Sequence, residues 1–158
     1  MADTVQKAAS LFLLTKSDVV AVVGESNEGV PFVFRDEILA NLEHDQYSEV
    51  SALVLEDGGP LAVNTLTRFR ARRLRVTIWA NGIRDANGNL TNPGSVKDKI
   101  NETFLVIDKY LHRTDSSTVM WHDLRTISSD RIGDISEPVS VIDGDGIQIA
   151  TVNYAVFF

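Results

Sequence analysis

The chain has 158 residues, no cysteine and a net charge of −7, with 44% apolar and 23% charged residues. A chain of this length can bury a core without cross-links, and the missing thiols exclude disulfides, cysteine nucleophiles and thiolate zinc sites. Its acidity disfavours nucleic-acid binding over the whole surface, leaving only a local basic patch for such contact.

No apolar run approaches the roughly 20 residues of a membrane helix, so no membrane partner is expected. Leu11-Phe12-Leu13-Leu14 is followed by Thr15-Lys16-Ser17-Asp18 without a small-residue cleavage site. A secretory leader is therefore not expected.

The first element is a helix capped by Asp3 or Thr4, with Val5, Ala8, Ala9, Leu11, Phe12 and Leu13 making an apolar face. Lys16-Ser17-Asp18 offers a second start before Val19, Val20, Val22 and Val23, and Gly24 serves as the stop. This second piece is read as helical, although its valines also suit a strand. Pro31 to Arg35 predicts a first strand entered through proline. Residues 38–50, with Glu43, His44, Asp45 and Gln46, predict a loop with one helical turn. Ser51 to Glu56 predicts a strand ended by Asp57-Gly58-Gly59-Pro60.

From Phe69 to Ala80 the alternation is clear: Leu74, Val76, Ile78 and Ala80 on one face, Arg73, Arg75, Thr77 and Trp79 on the other. Asn81 to Gly94 is a polar loop. Ser95 then caps a helix whose stripe is Val96, Ile100, Thr103, Phe104, Ile107 and Leu111, ending at Thr114 to Ser117. Val119 to Ser128 reads as one strand. Pro138 to Ile142 and Ile147 to Phe157 flank Asp143-Gly144-Asp145-Gly146, a hairpin signature. The order of elements predicts one α+β domain over residues 1–158, a mainly antiparallel sheet with helices packed on one face.

Few groups invite a chemical reading. His44, His112 and His122 lack partners at metal-ligand spacing, and His112 suits the carbonyl end of the long helix as a cation. Asp143-Gly144-Asp145-Gly146 resembles the opening of a calcium loop, but Ile147 and Tyr154 stand where further ligands belong, so a turn is the better reading. His122 with Ser128, Ser129 and Asp130 lacks a nucleophile elbow. Gly58-Gly59-Pro60 lacks the lysine of a phosphate loop. Asn89-Leu90-Thr91 and Asn101-Glu102-Thr103 match a glycosylation pattern that is common by chance. No catalytic residue, metal or cofactor is expected.

Arg68, Arg70, Arg72, Arg73 and Arg75 are the anomaly: five of the chain's 15 basic residues within eight positions. One reading is a solvated strand entry whose arginine stems cover apolar surface. The other is a positive stripe for an acidic protein partner or for nucleic-acid phosphates. Ala155-Val156-Phe157-Phe158 is apolar throughout and is expected to be held in the sheet or by a neighbour. That makes Phe157 and Phe158 candidate inter-subunit contacts.

The segment order resembles that of the tail terminator, or tail-to-head joining, proteins of long-tailed bacteriophages with non-contractile tails. The likeness is carried by the helix pair Thr4 to Gly24, the strand after Pro31, and Ala52-Leu53-Val54-Leu55 before Gly-Gly-Pro. It continues through Arg73-Leu74-Arg75-Val76-Thr77-Ile78-Trp79-Ala80, the amphipathic helix ending in Tyr110-Leu111, and the closing Ala150-Thr151-Val152-Asn153-Tyr154-Ala155-Val156. Asn81 to Gly94 departs from the family in being longer. The resemblance implies a homo-oligomeric ring, usually a hexamer, on the last ring of the tail tube. Its partners would be the tail tube protein and the head connector or stopper protein. The protein would be assembled in the host cytoplasm and reside in the virion, and no catalytic residues carry over. The arginines would face an acidic neighbour or, non-specifically, the genomic DNA in the lumen.

A second reading in the same structural class is another neck protein, a head-completion or stopper subunit. A third is a small α+β ligand-binding domain or enzyme, which requires a pocket of converging polar groups. On the first reading, charge reversal at Arg70 and Arg72 impairs particle assembly, measured as yield of infectious virions, and normal yields refute a role for the stripe.

Overall fold

The computed structural model describes residues 4–26, 28–36, 51–61, 70–82, 86–87, 93–113, 118–140 and 147–158, with backbone alone at 93–95. Helix α1 (Val5–Leu14) begins at Thr4, whose hydroxyl accepts the Lys7 amide at 3.4 Å. Helix α2 (Ser17–Val22) follows, so the valine run is helical. Gly24 is not its stop. Val23 is already extended, and the Gly24 amide donates to the Ser51 carbonyl at 2.8 Å.

The strands described are β1 (Val33–Arg35), β2 (Ser51–Pro60), β3 (Ala71–Asn81), β4 (Val119–Trp121), β5 (Leu124–Thr126), β6 (Ser128–Ile132), β7 (Val139–Ser140) and β8 (Ile147–Phe157). Helix α3 (Pro93–Leu111) lies between β3 and β4 in the chain. The main sheet has the order β1-β2-β3-β8-β6, and β7 also pairs with β8. It is mostly antiparallel; the exception is β1, which runs parallel to β2. Residues 36–50 separate these two strands, long enough for the crossover that a parallel pair needs.

Every residue of β3 faces one of β8, from Ala71↔Phe157 to Asn81↔Ile147. One face of this ladder carries Leu74, Val76, Ile78 and Ala80 with Ala150, Val152, Tyr154 and Val156, all buried, joined by Leu53 and Leu55 of β2. All three helices pack on that face through Val5, Ala8, Ala9 and Leu13, Val19 and Val22, and Val96, Ile100, Ile107 and Leu111. Ala52 and Val54, pointing the other way, are buried too, which explains why β2 reads as an unbroken apolar run.

Two polar clamps lock the helices in place. Tyr154, fully buried, donates to Asp108 of α3 at 2.7 Å, and Arg131 of β6 reaches the other oxygen of Asp108 at 2.5 Å. Burial and the adjacent carboxylate push the Tyr154 phenol far above its usual range, so it stays a donor. Asp18 of α2 takes Lys109 and accepts the Tyr110 hydroxyl at 2.7 Å. These bonds hold the Asp18 carboxyl below, and the Lys109 ammonium above, their ordinary ranges. A buried hydroxyl relay adds to them: Thr103 donates to Ser51 at 2.9 Å, and Ser51 to the Val22 carbonyl at 3.0 Å.

Three further sequence expectations need correction. Val119 to Ser128 is not one strand. It folds as a β4–β5 hairpin about His122-Asp123, and β6 then joins the main sheet. His122 takes the left-handed φ of +53°, held by the burial of Trp121 and Leu124 on either side and by Phe12 stacked on Trp121 at 5.6 Å. Asp57-Gly58-Gly59-Pro60 does not end β2 but continues it through a register shift. Gly59 makes this feasible with φ +100°, and Gly58 leaves room for the Arg73 stem, where a Cβ would lie 2.7 Å from Cγ. Helix α3 starts before Ser95, at Pro93, where the missing amide costs nothing. The polar segment 38–50, the helix end at 114–117 and the Asp143–Gly146 turn lie outside the described residues. β7 and β8, on either side of residues 141–146, pair antiparallel.

At the β6 edge, the Arg113 amide donates to the Ser129 carbonyl at 2.6 Å, and the Arg131 amide donates to His112 Nδ1 at 3.0 Å. His112 therefore acts here as an acceptor, with Asp130 3.1 Å from the same nitrogen.

Replacing Tyr154 with Phe removes a hydrogen bond to a charged group without changing shape, and is expected to lower stability by about 2 kcal/mol. Urea unfolding with an unchanged m-value checks this; a shift below a few tenths would assign the anchoring to packing alone.

Candidate assembly surface

The first half of β3 carries the arginines between β2 and β8, and its register decides what each one meets. Arg72 forms a fork on Asp57: Nε donates at 3.1 and 3.0 Å to the two oxygens and Nη2 at 2.6 Å. Arg75 stands opposite Glu56 in the ladder, 3.6 Å from its carboxylate. The Arg73 stem lies on Gly58, and its Nε is buried without a hydrogen-bond partner. Arg70 is exposed, and among the described residues its guanidinium has no ion pair. Arg68 lies outside the described residues.

Two of the four described arginines are thus matched by carboxylates of β2, and the stripe is less positive than its residue count implies. Sequence reasoning missed Glu56 and Asp57 as partners. The available signal was an acidic pair closing one strand ahead of a basic run opening the next, an arrangement that favours cross-strand pairing.

The end of β8 lies beside the arginines. Phe158 exchanges both backbone hydrogen bonds with Arg70, at 2.8 and 2.9 Å. Phe157 sits in the ladder between Ala71 and Ser128, and its carbonyl accepts the Ile127 amide at 2.8 Å. Both phenylalanines are half-buried. Phe158, Ile127, Thr118 and Arg125 line a pocket of about 500 Å³. Arg125 is exposed and, like Arg70, without an ion pair among the described residues. The structure therefore brings the arginines and the two terminal phenylalanines to one end of the sheet. It adds Thr118, Arg125 and Ile127, none of which the sequence singled out.

The other candidates are dispersed. His122 occupies the hairpin turn, with Nδ1 3.5 Å from its neighbour Asp123, whereas Ser128, Ser129 and Asp130 belong to β6. His44 lies outside the described residues. No group of three or more potential metal ligands occurs among the described residues, and none of their helices is long and apolar enough to cross a membrane. No family model and no curated protein matches the chain.

Burial acts to raise the Asp57 pKa, but the Arg72 fork and the Gly59 amide, donating at 2.9 Å, outweigh it and hold the carboxyl below its usual range. A depressed folded-state pKa gives stability that is complete above the unfolded value, near 3.8, and lost as pH falls through the folded one. Asp57→Asn is thus expected to destabilise the protein at pH 7 and to flatten the loss of stability below pH 4. Denaturant midpoints across pH 2 to 7 check this; parallel curves for both proteins would remove Asp57 from the acid response. Reversing Arg72 also unpairs Asp57, so Arg70 is the cleaner position for charge reversal.

Proposed function

We propose that this chain is the ring-forming subunit that caps the tail tube of a long, non-contractile-tailed bacteriophage, ends tube growth and joins the tail to the head connector. The reading rests on the resemblance in segment order. The observation that carries it further is the single sheet end where Phe157, Phe158, an open pocket and the unmatched cations Arg70 and Arg125 come together. Half-buried aromatic side chains beside unpaired arginines are the composition of a protein–protein contact.

The subunit would act by shape and charge. One ring face seats on the tail tube protein and leaves no further site for tube subunits, and the other receives the connector or stopper. With Arg72 and Arg75 engaged by β2 carboxylates, few cations of the stripe remain for the lumen among the described residues. Phosphate contact scales with the number of free cations, so an acidic protein neighbour is favoured over genomic DNA as the partner of Arg70. The site of action is the virion neck, after assembly in the host cytoplasm.

Inactivating the gene in its phage is expected to yield heads and tails that do not join, with tubes of overrun length in electron micrographs. Tails of regulated length attached to heads would refute the reading.

A further inference from the structure

Helix α3 presents Asp98, Glu102 and Leu105 on one exposed line, at spacings of four and three residues. Leu105 is 68% exposed, more than any other large apolar side chain among the described residues. Asp98 and Glu102 have no ion-pair partner among those residues. The pocket between the β4–β5 hairpin and the end of β8 has the opposite character. Phe158 and Ile127 line it with apolar side chains, alongside Thr118 and Arg125. Arg70 is tied to Phe158 through the backbone, which brings a second free cation to the same end. An apolar knob beside two unpaired carboxylates thus matches an apolar pocket beside two unpaired guanidinium groups.

We propose that these two surfaces bind each other between copies of this chain: Leu105 of one copy fills the Phe158–Ile127 pocket of the next, and Glu102 and Asp98 pair with Arg125 and Arg70. The inference rests on the ring reading above and names its contact. An exposed leucine gains by leaving water for an apolar pocket, and the surrounding ion pairs are worth more once it excludes water. The two surfaces differ, so each copy offers one to either neighbour. Such a contact runs head to tail and closes into a ring when its rotation permits. Charge complementarity also decides which surfaces meet, because pairing two identical surfaces would place like charges together.

Mass photometry and light scattering of the full chain over a concentration series test the contact. Wild type is expected to form an oligomer larger than a dimer. Leu105→Asp is expected to weaken assembly about tenfold or more, the effect of losing a central anchor. Glu102→Arg and Arg125→Glu should each weaken assembly, and combining them should restore it. These positions are exposed, so circular dichroism spectra matching wild type show that the variants fold. An oligomer indifferent to all three substitutions overturns the contact and leaves the ring reading standing. A strictly monomeric wild type also overturns the contact, while the tail-length phenotype still decides the ring reading.

Discussion

The eleven-residue pairing of β3 with β8 is the constraint on which the other elements depend. These strands contact each other along their full length, so slipping either by one residue would send Leu74, Val76, Ile78 and Ala80 to the wrong face together with Tyr154 and its neighbours. Such a slip would uncover the floor on which all three helices rest. The ladder is specified from both sides. On the helix side, Tyr154 can reach Asp108 in one register only. At its outer flank, β2 offers Glu56 to Arg75 in line and, across the register shift that follows Asp57, Asp57 to Arg72.

The same ladder places the candidate surface. β8 has two partners along its second edge, β7 near its start and β6 near its end. β6 follows directly on the β4–β5 hairpin, so the hairpin is anchored beside the last residues of β8, and a pocket forms where they meet. Trp121 and Leu124 fasten the hairpin inward, which leaves Arg125, between Leu124 and Thr126, pointing out. A core requirement at alternate positions thereby fixes the direction of a surface cation.

Long periodic elements were legible in the sequence. The stripe of α3, the alternation of β3 and the closing strand each repeat one physical rule over many residues. What escaped was set by contacts between distant segments. His122-Asp123 contains no glycine or asparagine, and its turn exists because Trp121 and Leu124 are both drawn into the core. The parallel pairing of β1 depends on where its chain returns, not on the composition of Val33 to Arg35. The arginine stripe was visible as a charge count, but which members are free depended on the β2–β3 register. Arg125 and Ile127 looked like ordinary strand residues until β8 was laid beside them.

His112 and Arg113 close one rim of the sheet to added strands. A strand at the rim of a sheet offers a row of amides and carbonyls to any passing extended segment, the route to open-ended fibres. Here the rim strand β6 has its Ser129 carbonyl taken by one backbone amide and its Arg131 amide taken by an imidazole. With that rim stoppered from within the same molecule, growth by adding strands is blocked there. Contact at that rim would have to be made by side-chain surfaces rather than by added strands.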